Sequence, residues 1–564
     1  MNDATAPAAT LDPITVEVIG SALESIVEEM GEALIRASYS TNIKERRDAS
    51  TALFDAAGRT LCQAEHIPIH LGSFIGLLPE ILKRHPVAHM RPGDVFCGND
   101  AYSGGGTHLP DIVLAEPVFL DGRIVAWAVN LAHHADFVDR THAHIYQEGL
   151  RIPPVRLYRE GVLVPDILDI ILTNCQVPEE RRADLAAQMA ANRLGVQRFQ
   201  ALIARYGWPV VEGATRALMD YAERKMRAGI AKIPDGTYAF RDRFDGPELE
   251  GVVAGAELDL AVEITVAGET MRLAFDGPPQ VRAGINMTYT ALLATVYYAV
   301  KTLVDPTILP NAGLARPLVV TAPEGTVLNC THPAAVNGRL NTCQRVVDLI
   351  HGALAPAIPE RVTAAHNGAC VSATFSGRHP ATGRYWVYLE TIGGGFGARA
   401  TKDGLDGVHV HTTNTSNLPV EALESEYPLL VERYALVDGS AGPGKWRGGM
   451  ALHRVVRAEG EGCVVRIDVT RRKSAPWGLF GGAEGGRCHT HYSDGVAPPV
   501  KGVTMLAPGQ VAGVVTPGAG GYGDPHARDR ALVARDLREG RISREVAESV
   551  YGYQARTDNG EITR

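Results

Sequence analysis

Three observations place this chain in the α+β class, as a large multidomain protein of long helices and antiparallel sheets. Several windows carry apolar residues at helical spacing over many turns. Other windows alternate in strand fashion between glycine and proline breaks. Helices and strands follow one another without the steady strand–helix–strand beat of a doubly wound parallel sheet. At 564 residues, and with about 150 residues per domain, roughly three to four domain-sized units are expected.

The elements can be justified in order. Asp12-Pro13 reads as an N-cap followed by proline at the first helical position. Val16, Ile19, Leu23, Ile26, Val27, Met30, Leu34 and Ile35 then recur at helical spacing, predicting a long amphipathic helix to about Ser38. Thr51 to Phe54 reads as a short strand, and Leu71 to Arg84 as a second helix. Ile112 to Leu120 and Ile124 to Leu131 read as strands joined at Asp121-Gly122, a hairpin signal. Pro178 to Tyr206 and Val210 to Ile233 form a helical pair broken at Gly207-Trp208-Pro209. From Gly236 to Asp276 the texture turns to antiparallel sheet. Helices at Thr288 to Val304 and Leu340 to Leu354 flank a strand at Pro317 to Thr321. The last third is strand-rich and closes with a helical tail from about Arg530 to Tyr551. These shifts divide the chain into an N-terminal α/β region over 1–235, a central α+β region over 236–425, and a strand-rich C-terminal region over 426–564.

Composition excludes several classes of function. The net charge is −9 and no basic run is dense enough to track a nucleic acid. The first residues lack a basic stretch followed by an apolar core, so no signal peptide is expected. No apolar run is long enough to span a membrane. Eight cysteines occur without a Cys-x-x-Cys pair, which predicts free buried thiols and a cytoplasmic location.

The strongest local constellation runs from Asn99-Asp100 through Gly104-Gly-Gly106 and Thr107-His108-Leu-Pro-Asp111, then across the hairpin to Ala132-His133-His134-Ala135-Asp136. The hairpin returns the chain, so His133 or His134 lands near His108 and Asp111. Two imidazoles and a carboxylate suit an open Zn²⁺, Mn²⁺ or Fe²⁺ site. If the strand continues to its end, His133 and His134 point to opposite faces, and only one of them can be a ligand. The same residues serve equally as hydrogen-bonded stabilisers of the loop. The run Asn42-Ile-Lys44-Glu45-Arg46-Arg47-Asp48 reads, unaided, as a solvated charged face, and His70 as a helix-start histidine. His409 and His411 alternate on an apparent strand and, with Asn414, line a pocket or a packed sheet edge. Cys488-His-Thr-His491 reads as a surface turn. Gly518-Ala-Gly520-Gly-Tyr-Gly523 matches a dinucleotide-binding pattern, but too little chain follows, so a structural turn is the better reading. No Walker A motif and no Gly-x-Ser-x-Gly elbow occurs. A nucleophile, if there is one, is therefore water rather than a side chain.

At these residues the chain resembles the hydantoinase B/oxoprolinase family, over about Pro13 to Tyr551. The resemblance is carried by Asn42 to Asp48, Ile69-His-Leu-Gly-Ser73, Thr107 to Asp111 and Ala132 to Asp136. Val408 to Pro419, Trp446-Arg-Gly-Gly449 and Pro517 to Pro525 add to it. The glycine run at Gly104 is one residue longer than the family's usual form. The resemblance implies a divalent metal (Zn, Mn or Fe) held by His108, Asp111 and His133, with Asp48 as a further ligand or water partner. It gives proton-shuttling roles beside the metal to Asp48, His134 and Asp136. It also implies a hetero-oligomer in which ATP binds a separate hydantoinase A-type subunit that phosphorylates the substrate carbonyl. The implied reaction is ATP-dependent opening of a cyclic amide: a hydantoin, 5-oxoproline or a lactam. The alternative is the α-type subunit of an ATP-dependent ketone carboxylase, and a third reading is a non-catalytic assembly subunit.

Overall fold

The computed structural model describes residues 11–64, 66–103, 105–134, 143–245, 257–496 and 503–554. Helix α1 (Pro13–Ala37) begins as its sequence dictates, with Thr15 N–H donating to the Asp12 carboxylate and Pro13 in the first turn. Its buried stripe is Ile19, Leu23, Ile26, Val27, Met30, Leu34 and Ile35. After a single turn, α2 (Thr41–Lys44), come β1 (Ala49–Asp55), β2 (Thr60–Gln63), α3 (His70–Arg84), β3 (Val95–Gly98), β4 (Asp111–Leu120), β5 (Arg123–His133), β6 (Val155–Arg159) and β7 (Val162–Leu163). These strands form one antiparallel sheet in the order β2-β1-β5-β4-β3-β6-β7.

That sheet is buried on both faces. Leu53, Ala126 and Ala128 pack with α1, α5 (Pro178–Tyr206) and α6 (Trp208–Ile230), the two helices reached through α4 (Pro165–Thr173). The alternate residues Ala52, Phe54, Trp127 and Val129 pack with Phe74, Leu77, Leu78 and Ile81 of α3. Period-two alternation thus feeds two cores at once, and the result is a three-layer unit. The β4–β5 turn is the expected one: Asp121 (φ 48°) and Gly122 (φ 75°) both take left-handed backbone, which Gly122 adopts without steric cost. Gly207 (φ 81°) breaks α5 from α6, and α6 starts two residues earlier than expected because Pro209 fits its first turn.

The central sheet has the order β11-β10-β9-β8, from β8 (Gly236–Asp245), β9 (Glu257–Ala267), β10 (Thr270–Asp276) and β11 (Leu318–Thr321). Only the β10–β11 pair is parallel. Helices α7 (Tyr289–Val304) and α8 (Arg339–Leu354) share its core. All but one residue of α8 is buried, including Arg339, Arg345, Asp348 and His351, the pattern of a helix enclosed on every side.

Strands β12 (Val371–Arg378) and β13 (Tyr385–Ile392) precede α9 (Val420–Glu426), β14 (Leu429–Leu436), β15 (Leu452–Ala458), β16 (Cys463–Asp468), β17 (His489–Tyr492), β18 (Val503–Leu506) and β19 (Val511–Val515). They form two sheets, β13-β12-β16-β18 and β14-β15-β19-β17, packed through Phe375, Tyr388, Val465, Val456 and Val514. The first sheet draws strands from both sides of residue 425, so the 425/426 division cuts through it. The helical tail is two pieces, α10 (Arg530–Arg538) and α11 (Arg544–Ser549), parted at Gly540 (φ 74°).

The glycine pattern at 518–523 is structural. A Cβ on Gly520 would fall 1.9 Å from the Trp477 carbonyl oxygen, and one on Gly448 1.9 Å from that of Ala519. Main chain rests directly on main chain there. Cys488 to His491, read as a surface turn, instead enters β17. Seven of the eight cysteines are buried, and Cys175 is half-buried. No helix among the described residues is long and apolar enough to cross a membrane.

Phe199 of α5 is completely buried between α1 and the large sheet. Phe199→Ala is expected to cost about 3–5 kcal/mol, read as a lowered urea midpoint; an unchanged midpoint would show that this core contributes nothing to the limiting transition.

Candidate metal centre

The β4–β5 hairpin builds the site. Its register sets Asp111 directly opposite His133, so the two side chains are cross-strand neighbours on one face. His108 stands in the turn before β4, where Asp111 N–H donates to the His108 carbonyl at 3.3 Å. One ligating atom from each of His108, Asp111 and His133 lies within 4.8 Å of the others, and all three residues are buried.

The hydrogen bonds show what this set can hold. His108 Nε2 is 2.8 Å from Asp111 Oδ1, and its Nδ1 is 3.2 Å from the Asn337 carbonyl oxygen. Both neighbours are acceptors, but a neutral imidazole has one proton to give. Burial, with Arg339 adding to it, pushes the His108 pKa down, so a second proton is disfavoured. A divalent cation among the three side chains fits the lone pair left over, and two imidazoles with a carboxylate suit Zn²⁺, Mn²⁺ or Fe²⁺. His133 is likewise pushed well below its ordinary pKa by burial and by His108. For Asp111, burial works to raise the pKa, but His108 and Arg339 outweigh it and hold the carboxyl well below its usual range.

Arg339, the first residue of α8, donates from Nη2 to Asp111 Oδ2 at 2.8 Å and from Nε to Thr107 Oγ1 at 2.9 Å. His70, the first residue of α3, sits 2.8 Å from Ser50 Oγ through Nδ1, and burial pushes its pKa down to about 4. Sequence reasoning missed Arg339, because no local pattern links it to a carboxylate 228 positions away. His70 lay within the Ile69 to Ser73 run and was legible only as a helix-start residue.

The remaining expected residues divide. Asp48 stands beside the converging trio rather than within it. Its Oδ1 is 3.7 Å from His70 Nε2 and its Oδ2 is 4.0 Å from His133 Nδ1. Burial raises its pKa against the pull of His70 and Arg46. His134 is a correction. Strand alternation turns it to the other face of the sheet, where Nε2 meets Gln188 Oε1 of α5 at 3.0 Å. There it stands against α5, away from the converging trio. Asp136 lies outside the described residues.

The charged run at 42–48 is also not a solvated face. Asn42, Arg46 and Asp48 are buried. Arg46 donates to Asn42 Oδ1 at 3.0 Å, to the Leu389 carbonyl at 2.6 Å and to Thr391 Oγ1. Asn42 in turn donates to the His133 carbonyl at 2.8 Å. His409 and His411 do not share a strand face: the chain turns at His411 (φ 25°) and Thr412 (φ 54°), while Asn414 donates to the His66 carbonyl at 3.3 Å.

The trio opens on a cavity of about 80 Å³. Its walls come from the three-layer unit (Asp48, His70), the start of α8 (Arg339, Asn341) and the C-terminal sheets (Ser372, Thr391). The trio is thus a buried imidazole–carboxylate cluster at the meeting of three structural units. The chain belongs to the hydantoinase B/oxoprolinase family, whose pattern matches residues 12–525. It is 35% identical over 582 residues to the B-type component of the "Putative D-/L-hydantoinase" of Pseudomonas sp. strain NS671, covering 98% of this chain and 96% of that one. It is 32% identical over 567 residues to the beta component of the caprolactamase of Pseudomonas jessenii, covering 96% of each. The crystal structure of the ATP-dependent caprolactamase from that organism superposes with a TM-score of 0.87 at 30% identity, covering 98% of both chains. A nucleotide-free acetone carboxylase structure superposes with a TM-score of 0.88 at 19% identity, covering 98% of this chain and 81% of that one. At that identity the likeness is one of fold alone.

Arg339→Met leaves the buried Asp111 carboxylate without its guanidinium partner. The variant is expected to lose about 3–5 kcal/mol of stability, read by thermal unfolding of the purified chain; an unaltered transition would mean that the ion pair does not constrain the fold.

Proposed function

We propose that this chain is the metal-bearing B-type subunit of an ATP-dependent cyclic-amide hydrolase. It opens the ring of a hydantoin, 5-oxoproline or lactam after a hydantoinase A-type partner has bound ATP and phosphorylated the substrate carbonyl. One observation carries the reading: His108, Asp111 and His133 converge beside a cavity in a chain whose full-length relatives bear the names of hydantoinase and caprolactamase subunits. His108, Asp111 and His133 would hold a divalent cation, which when bound would supply Lewis-acid polarisation of a carbon–oxygen group and lower the pKa of water.

The chain's own residues do the rest. Arg339 fixes one oxygen of Asp111, so the other stays aimed at His108. Asp48, with its pKa raised by burial, is placed to take up and return a proton next to His70 and His133. Thr391, Thr413 and Thr415 line the cavity, with the Thr391 and Thr415 hydroxyls 2.9 Å apart and that of Thr413 donating to the Val410 carbonyl, and give it a polar side. Ile67, Ile69 and Leu389 give it an apolar side that limits water.

The test reconstitutes the chain with its A-type partner and follows ring opening of hydantoin, 5-oxoproline and caprolactam with and without ATP. ATP-dependent product is expected from at least one of them. His108→Ala, Asp111→Asn and His133→Ala are each expected to reduce it by about 100-fold or more, since even residues behind metal ligands cost 10–100-fold. Full activity in folded, complexed His108→Ala and Asp111→Asn would reduce the chain to an assembly role. Bicarbonate incorporation without ring opening would assign it to a ketone carboxylase.

A further inference from the structure

A second cluster of ligating side chains lies away from the cavity. Asp348 and His351 project from successive turns of α8, His366 follows in the loop before β12, and His411 stands in the turn after β13. Asp348 and His366 are fully buried and His411 is 5% exposed. His366 Nδ1 is 2.7 Å from His411 Nε2 and 3.1 Å from Asp348 Oδ1, and His411 Nε2 is 3.8 Å from the same Oδ1. Among the described residues, this trio and the His108 trio are the groups with metal-ligand proximity.

One proton on His366 Nδ1 can point to Asp348 or to His411 Nε2 but not squarely to both, and Asp348 Oδ1 also accepts from the His366 backbone N–H at 3.3 Å. If His366 Nδ1 carries its proton toward Asp348, the same nitrogen cannot accept from His411. If His411 Nε2 donates to His366 Nδ1, that nitrogen's lone pair also faces the Asp348 carboxylate, with no proton between. A cation at the centre is attracted by all three atoms at once. Bonds of about 2.0–2.1 Å to tetrahedral ligands set ligand–ligand edges of about 3.3 Å, and the three separations bracket that value.

Each ligand is also oriented from behind, as metal ligands are. Arg471 donates to Asp348 Oδ2 at 2.8 Å. The Thr363 hydroxyl is 3.5 Å from His366 Nε2, and the Tyr298 hydroxyl is 3.4 Å from His411 Nδ1. Asp348 divided between imidazole and guanidinium repeats the arrangement of Asp111 between His108 and Arg339. The charge of Arg471 is shared with Asp242, 3.8 Å from Nη1, so it does not face the trio unopposed.

Further features frame the trio. His351 Nδ1 accepts from Thr363 N–H at 3.1 Å, so its proton sits on the buried Nε2, and its ring packs 5.5 Å from that of His411 as a wall of the site rather than as a ligand. Left-handed backbone at both His411 and the β-branched Thr412 is strained, and that strain accompanies the placement of His411 against His366. The Phe396 ring packs edge-on at 4.2 Å from the His366 ring and closes the site to solvent.

We infer that Asp348, His366 and His411 form a second divalent transition-metal site of the zinc class, structural rather than catalytic. The site ties α8 to the segments that carry the C-terminal sheets. It does not rest on the proposed cyclic-amide chemistry.

The test uses the full chain. After zinc saturation and removal of free metal, crystals are examined by anomalous scattering at the zinc edge. A peak bonded to His366 Nδ1 and His411 Nε2 is expected; featureless density there overturns the inference and leaves an imidazole hydrogen-bond relay. In solution, a His108→Ala/His133→Ala variant is expected to take up one equivalent of Co²⁺ with the visible bands of a four-coordinate site. Adding His366→Gln and His411→Gln is expected to abolish that equivalent. Loss of all cobalt binding in His108→Ala/His133→Ala refutes the second site. One equivalent in both that variant and the wild type sustains the second site and instead removes the first.

Discussion

The buried carboxylate of Asp111 is the point on which the rest of the structure depends. One oxygen faces an imidazole from its own turn, and the other meets a guanidinium from a helix in a different unit. Burying such charges is expensive unless each is paired and hydrogen-bonded. The pairing therefore couples two separate events, closing the β4–β5 hairpin and seating the first turn of α8. Neither half of the arrangement is comfortable alone.

The same logic extends to the third unit. Arg46 sits in a charged run of the N-terminal region, yet its guanidinium ends on β13 and holds Asn42, which in turn holds the His133 carbonyl. The cavity is consequently a property of the whole chain. Its floor is a hairpin, its lid the N-terminus of a buried helix, and its far wall the edge of a sandwich. Helix α8 serves both ends of this design, with Arg339 at one cluster and Asp348 at another nine residues, or about 13–14 Å, along its axis.

How much of this was legible follows from how local each signal is. The long helix α1, the helical pair at 178–230 and the hairpin at Asp121-Gly122 are written in short-range periodicity and turn chemistry, and they formed where expected. The hairpin register brought Asp111 and His133 together, and strand alternation separated His133 from His134. Arg339 and the burial of Arg46 were not legible, because a charge reads as solvent-facing until a distant partner is known. The pairing of β12 with β16 was equally hidden: both are ordinary strands, and only the sandwich decides that they are neighbours. His409 and His411 misled for a different reason. Alternation between two histidines imitates a strand, whereas left-handed backbone at His411 and Thr412 makes a turn.

The glycines at 448 and 520 have a consequence of another kind. Where one peptide plane lies flush against the next, there is no side-chain layer to absorb an error. Elsewhere in the interior a larger residue can be met by a rotamer change in its neighbour. At these two places an added methyl group must lift a whole segment of backbone. Evolutionary drift should therefore bypass these seams while it freely recolours the cores they hold together.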